Sequence, residues 1–240
     1  QLLASLIQMK GHQTQRLQIF TSLCSFEDFC TKLKDIDGVL HLLVSSLSEK
    51  QHVGSAVKLI GALSSHSIGC QILNDNGVLE LFTQLFLSSS CGDTATTQTI
   101  LRNVAKSGCD IPQVSLIVSC LMQDMMYENS KKCEILNTLV ALVETVPGSV
   151  QEHDLQRIVM QQFNTENPLL ILLSLRLFAA CDPNVLRNIY PQLLSAIHNM
   201  LNKPQLLYPE IIEAALNVIY NLSKQYDLSD FLKKTEMIRF

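Results

Sequence analysis

Cysteine and histidine are the residue types in this chain that could bind a metal or serve as nucleophile and base. The sequence has eight cysteines and six histidines, but no Cys-x-x-Cys pair, and its closest cysteines are Cys24 and Cys30. Zinc sites need thiolates and imidazoles at short spacings, so we predict no metal site. Most cysteines lie among apolar residues, as in IGCQIL and LFAAC, which is typical of buried free thiols in a reducing compartment. We therefore expect an intracellular protein, in the cytoplasm, the nucleus or both.

Short catalytic motifs are also missing from the sequence. It contains no G-x-x-x-x-G-K-[ST], H-E-x-x-H, G-x-S-x-G or G-x-G-x-x-G segment, which are the spacings that phosphate, zinc, acyl-enzyme and dinucleotide chemistry require. A Cys–His dyad assembled from distant residues stays open, because sequence order does not show it. We predict that the chain is not an enzyme and needs no cofactor.

The charge pattern argues against nucleic acid and membrane partners. Lysine plus arginine number 18 and aspartate plus glutamate 22, so the net charge is 18 − 22 = −4, whereas nucleic-acid-binding domains usually carry a basic excess. The basic pairs are far apart in sequence: Lys32 with Lys34, Lys131 with Lys132, and Lys233 with Lys234. The longest apolar run, LLILLSLRLFAA at 169–180, is shorter than the ~20 residues of a membrane span and instead predicts a buried helix.

The elements that must position any site repeat along the chain. Asp37-Gly38-Val39-Leu40 and Asn76-Gly77-Val78-Leu79 are offset by 76 − 37 = 39 residues, and an apolar segment follows each. Apolar residues recur at three- and four-residue steps, and the prolines at 168, 183, 204 and 209 mark helix boundaries. A helical period near 40 residues predicts a stacked α-solenoid. The segment 87–97 (LSSSCGDTATT) is predicted to be a polar surface loop.

The segment IIEAALNVIYNLS at 211–223 resembles the third helix of an armadillo repeat, with Ala215, Ile219, Asn221, Leu222 and Ser223 in the family's positions. The resemblance covers 38–110 and 190–223, whereas helix pairs of the HEAT type are the alternative in 111–189. It implies an all-α fold, a right-handed superhelical α-solenoid of about five to six repeats in a single domain. Because the chain begins at Gln1 rather than Met, we expect a fragment of a longer protein. The repeats are predicted at 1–37, 38–76, 77–113, 114–154, 155–189 and 190–240.

The resemblance also implies a function. In armadillo proteins of the importin and catenin type, a Trp and an Asn four residues later on the third helices hold an extended peptide in a concave groove. Asn103 and Asn221 are at the Asn position here, but the chain has no Trp. We predict a non-catalytic scaffold that binds a partner peptide or helix; the alternatives are a homo-oligomerisation module and a nucleic-acid-binding solenoid. The residues predicted to bind the partner are Lys58, Thr99, Asn103, Asn137, Asn217 and Asn221.

Overall fold

The computed structural model describes residues 11–33, 38–127 and 129–234. Lys34, Asp37 and both ends of the predicted repeat series lie outside these ranges. Within them the chain forms 14 α-helices and no strand, which confirms the all-α prediction. The chain folds into two compact units, Gln1–Ile117 and Val118–Phe240, with their boundary inside helix α8 (Val114–Tyr127).

The first unit is built from three layers of helices. The helices are α1 (Gln13–Leu23), α2 (Glu27–Leu33), α3 (Val39–Ser48), α4 (Val53–Ser64), α5 (Ser67–Asp75), α6 (Val78–Leu87) and α7 (Thr94–Lys106). Helix α4 packs between α1 and α7, helix α3 packs on α6, and α2 packs on α5, so corresponding helices stack on each other from one repeat to the next. The starts of α1, α4 and α7 are separated by 53 − 13 = 40 and 94 − 53 = 41 residues, as the period near 40 predicted.

Glycine and small side chains allow the close approaches in this unit. Gly38 and Gly77 precede α3 and α6 with φ of 98° and 67°, a conformation in which a side chain would be strained. Gly69 lies against the end of α4, where an added Cβ would be 2.0 Å from the Leu63 carbonyl oxygen. Ala56 is fully buried on α4. The repeated Gly-Val-Leu string therefore marks a turn at the start of α3 and of α6.

The second unit is built from helices that pack in pairs. Its helices are the C-terminal part of α8, α9 (Lys132–Thr145), α10 (Glu152–Gln162), α11 (Pro168–Ala180), α12 (Tyr190–Leu201), α13 (Pro209–Ser223) and α14 (Ser229–Lys234), with 3₁₀ turns at Asn129–Lys131, Pro183–Leu186 and Pro204–Leu206. Helix α11 packs between α9 and α13, whereas α10 packs on α11 and α12 packs on α13.

Each predicted boundary proline opens a helical segment. Pro168 and Pro209 are the first residues of α11 and α13, and Pro183 and Pro204 begin 3₁₀ turns. At these positions the missing N–H is not needed for helix hydrogen bonding. The apolar run at 169–180 lies within α11, with only Leu169 and Arg176 exposed, so the buried-helix prediction is confirmed.

The loop prediction for 87–97 is partly wrong. Helix α7 begins at Thr94, because the Asp93 carboxylate caps it by accepting a hydrogen bond from the Ala95 N–H at 3.2 Å. Only 88–93 lies outside the helices. Threonines that follow a capping aspartate can start a helix, although the same polar cluster is typical of a loop.

Candidate functional site

The residues predicted to bind a partner lie on the stacked helices α1, α4 and α7 of the first unit or α9, α11 and α13 of the second. Lys58 is on α4, Thr99 and Asn103 are on α7, and Asn137 is on α9. Asn217 and Asn221 are on α13. Asn103 and Asn221 are half-buried, whereas the other four are exposed. Asn137 is separated from the α13 asparagines by the intervening helix α11.

Asn103 and Asn221 direct their amide nitrogens to the preceding helix of the row. Asn103 Nδ2 is 3.4 Å from Ser64 Oγ at the end of α4, and Asn221 Nδ2 donates to the Ala179 carbonyl oxygen on α11 at 2.8 Å. The Asn221 Oδ1 atom also accepts a hydrogen bond from Lys224 Nζ at 3.1 Å. In both units, therefore, this asparagine ties two stacked helices together.

Lys58 and Thr99 face the neighbourhood of the α7 N-terminus. The pKa of Asp93 is lowered chiefly by a hydrogen bond from the Thr96 hydroxyl, with the positive charge of Lys58 as a smaller cause. Thr99 Oγ1 donates to the Ala95 carbonyl oxygen at 2.9 Å and accepts from Arg102 Nη2 at 3.0 Å. Lys58 retains an exposed ammonium group, whereas the Thr99 hydroxyl is occupied within its own helix.

A small polar cavity lies between α11 and α13 in the second unit. Its volume is about 110 Å³, and it contains one of the predicted residues, Asn217. Arg176 lines one side, with Glu210 and Glu213 from α13 on the other. No ion pair joins this arginine to either carboxylate within the described residues. Charged groups of both signs are thus available at the surface of this slot.

Beside the slot, α13 exposes two large apolar side chains that the sequence reading missed. Leu216 is 55% exposed and Tyr220 is 62% exposed. They are four residues apart and therefore share a helix face, and three- and four-residue steps connect them to Glu213 and Asn217. Lys224 Nζ lies 4.3 Å from the centre of the Tyr220 ring. We call Glu213, Leu216, Asn217, Tyr220 and Lys224 the α13 patch.

The sequence held a signal for this patch. The buried stripe of α13 consists of Ile211, Ala214, Ala215, Val218, Ile219 and Leu222. Leu216 and Tyr220 fall outside that stripe, as a helical periodicity of 3.6 residues would have indicated. The armadillo-like motif instead predicts the asparagines, because Asn103 and Asn221 occupy its Asn position.

Tyrosine and arginine side chains are enriched in the energetic hot spots of protein interfaces, whereas leucine is under-represented there. Across the described ranges, no group of three or more His, Cys, Asp or Glu side chains is arranged to hold a metal ion. Nor is any helix in those ranges both long and apolar enough to cross a membrane.

Comparison with known proteins places the fold. No family model and no curated protein matches the chain. Three crystal structures of engineered proteins from the Northeast Structural Genomics Consortium do match, each at 14% identity. The TM-scores are 0.67, 0.70 and 0.61, with 93%, 98% and 93% of this chain covered and 97%, 60% and 98% of theirs. At this identity the likeness concerns the fold alone, and the chain has the all-helical fold of a repeat solenoid.

Proposed function

We propose that the protein is a non-catalytic scaffold that binds a peptide or helix of a partner protein through the α13 patch. The observation that carries this proposal is the exposed pair Leu216 and Tyr220 on a helix whose opposite side is fully packed. A solvent-facing Tyr beside a Leu at four-residue spacing offers an apolar ridge for a partner. Because nearly half of each side chain is already covered, burying the exposed remainder of one of them contributes roughly 1–2 kcal/mol.

The groups around the ridge would orient the partner. Lys224 lies over the Tyr220 ring, where a cation is attracted to the aromatic face. Arg176 and Glu213 line the adjacent slot and can pair with polar or charged groups of an incoming segment. An apolar centre with charged groups at its edge is the usual composition of a protein interface.

We further infer that the chain is related to armadillo and HEAT repeats. The three-helix arrangement of the first unit supports armadillo-like repeats, with α2, α3 and α4 as one repeat and α5, α6 and α7 as the next. The paired helices α10 with α11 and α12 with α13 support HEAT-like repeats in the second unit. Both families are interaction scaffolds, and this analogy agrees with the proposed function.

The proposal includes an intracellular setting and a protein partner. All eight cysteines are free, which suits a reducing compartment such as the cytoplasm or the nucleus. Self-association through the same patch is the second candidate, because the ridge could pack on its copy in a second molecule. A nucleic acid partner is disfavoured by the net charge of −4.

The test compares two double variants with matched chemistry. Leu216→Ser with Tyr220→Ser removes the ridge. Leu116→Ser with Tyr127→Ser makes the same replacements at residues that are 56% and 86% exposed on α8. Affinity capture from cell extract with quantitative mass spectrometry should recover a partner set with wild type and with the α8 variant, but not with the α13 variant.

Two further results decide between the candidates. Circular dichroism should show the same helicity for all three proteins, since the replaced side chains are exposed. An unchanged partner set with the α13 variant would refute the proposed site. If sedimentation shows a mass that rises with concentration and loses this dependence in the α13 variant, the patch serves self-association instead.

A further inference from the structure

A groove formed by α3, α4 and α6 in the first unit has the volume of a binding site. Its volume is about 580 Å³, within the range of known ligand pockets, ~300–1,000 Å³. It is lined by the end of α3, the start of α4, helix α6 and the turn that follows α6. The partner-binding residues predicted from sequence in this unit, Lys58, Thr99 and Asn103, do not line it.

The floor of the groove is apolar and built on rigid elements. Leu47 and Val53 are 4% and 7% exposed at the end of α3 and the start of α4. Leu81 and Leu85 are half-buried on α6, four residues apart and therefore on one face. The chain leaves α6 through Ser89, whose φ of 56° turns it sharply away. An apolar side chain from another molecule can therefore rest on four fixed aliphatic groups.

One charge stands at the edge of this floor. Lys50 is the charged residue among those lining the groove, and it is exposed. The adjacent carboxylate of Glu49 is directed elsewhere, at 3.6 Å from His52 Nε2 and 3.5 Å from Gln51 Nε2. Within the described residues no ion pair or hydrogen bond engages the Lys50 ammonium group. The groove thus combines an apolar floor with an unneutralised positive charge.

We propose that this groove binds a short peptide segment of a partner protein that carries an aliphatic or aromatic side chain next to an aspartate or glutamate. The apolar side chain lies on Leu47, Val53, Leu81 and Leu85, and the carboxylate pairs with Lys50. Charge complementarity selects this occupant: a basic peptide would meet Lys50 with like charge, and a wholly apolar one would gain nothing from it, whereas a carboxylate beside the apolar side chain is attracted to it. This site is independent of the α13 patch.

The proposal can be tested with a library of random dodecapeptides displayed on phage and selected on the full chain. Enriched sequences should combine a Leu, Ile or Phe with a nearby Asp or Glu. A synthetic, fluorescently labelled peptide from that pool should bind by fluorescence polarisation, and Lys50→Glu should weaken its binding by about tenfold. Leu85→Glu should abolish binding by placing a charge on the floor. Lys106→Glu makes the same charge change at an exposed residue of α7 outside the groove and should leave binding unchanged.

A charge reversal makes the test specific. A peptide with its acidic residue replaced by lysine should bind the Lys50→Glu protein better than it binds wild type, which a general loss of structure could not produce. Three results would overturn the proposal: enriched peptides that are basic, binding indifferent to Lys50→Glu, or binding lost instead in the Leu216→Ser, Tyr220→Ser protein. A concentration-dependent mass that Leu85→Glu removes would assign the groove to a second copy of the chain, which would also overturn it.

Discussion

Replacing Gly69 by alanine tests the packing on which the first unit depends. Gly69 lies in α5, directly against the last turn of α4. A Cβ at this position would be 2.0 Å from the Leu63 carbonyl oxygen and 2.7 Å from its carbonyl carbon. Carbon and oxygen atoms that are not bonded approach to ~3.3 Å, so one helix would have to move by about 1.3 Å. Both contacting atoms belong to the backbone and cannot rotate away.

The cost follows from two opposing effects. Overpacking of a well-packed contact destabilises by ~1–3 kcal/mol, and a backbone displacement of this size belongs at the upper end. Alanine also favours the helix over glycine by ~0.5–1 kcal/mol. We expect Gly69→Ala to lower the free energy of unfolding by about 2 kcal/mol after these terms are combined.

Gly54→Ala is the matched control. Gly54 is an exposed residue of α4 with nothing within 4 Å of an added Cβ, so only the helix preference of alanine remains. Urea unfolding followed by circular dichroism should show Gly69→Ala destabilised and Gly54→Ala equal to wild type or up to ~1 kcal/mol more stable. Alkylation of the neighbouring buried Cys70 should become faster only in Gly69→Ala. Equal stability and equal Cys70 reactivity in the two variants would show that α5 does not lie against Leu63.

Three further predictions concern buried polar groups, stacking and pH. Gln98 is 1% exposed, and neither atom of its amide has a hydrogen-bond partner; Gln98→Met should raise the urea midpoint by the equivalent of ~1 kcal/mol or more, and a lower midpoint would contradict this. Asn221→Ala should lower stability by ~1 kcal/mol through the loss of its bond to Ala179, whereas exposed Asn217→Ala should leave the midpoint unchanged. Burial raises the pKa of the thiol to about 12 in Cys24 and Cys181 and to about 11 in Cys91. These folded-state pKa values exceed the ordinary thiol pKa of 9.0. Burying the protonated thiols therefore contributes its full stabilisation below pH 9.0, and this contribution is lost as the pH rises toward the folded-state pKa values. Urea midpoints between pH 8 and 11 should fall more steeply in wild type than in Cys91→Ala.

Much of the fold could be predicted because its causes are local. Gly38 and Gly77 have positive φ, and only glycine reaches that conformation without strain. Pro168 and Pro209 open helices because proline suits a first turn and disrupts an interior. The helix boundary at Thr94 was missed because a threonine-rich segment after Asp93 suits a loop as well as a capped helix. The hydrogen bond from the Ala95 N–H to the Asp93 side chain determines where the helix begins, and the sequence alone does not show this bond.

The site was harder to predict because motif offsets do not state what a side chain contacts. The Asn-Leu-Ser ending of α13 suggested a peptide-holding asparagine, yet Asn221 uses its amide nitrogen on Ala179, 42 residues earlier, and its oxygen on Lys224. Asn103 makes a similar but longer contact, at 3.4 Å to the hydroxyl of Ser64, 39 residues earlier. An asparagine that hydrogen-bonds to the last turn of a neighbouring helix recurs with the repeat period whether or not a partner protein binds.

The proposed α13 patch therefore rests on exposed apolar residues and not on motif offsets. Burial in the core explains the alanines, and stacking explains the two half-buried asparagines. Neither explains why Leu216 and Tyr220 are more than half exposed on a helix whose buried stripe is complete without them. Scattered single apolar residues are common on protein surfaces, but a contiguous pair beside Lys224 and an arginine-lined slot is not required by the fold. The α13 patch is thus a surface that the packing of the repeats does not require, and substitutions there would test the proposed recognition without disturbing the core.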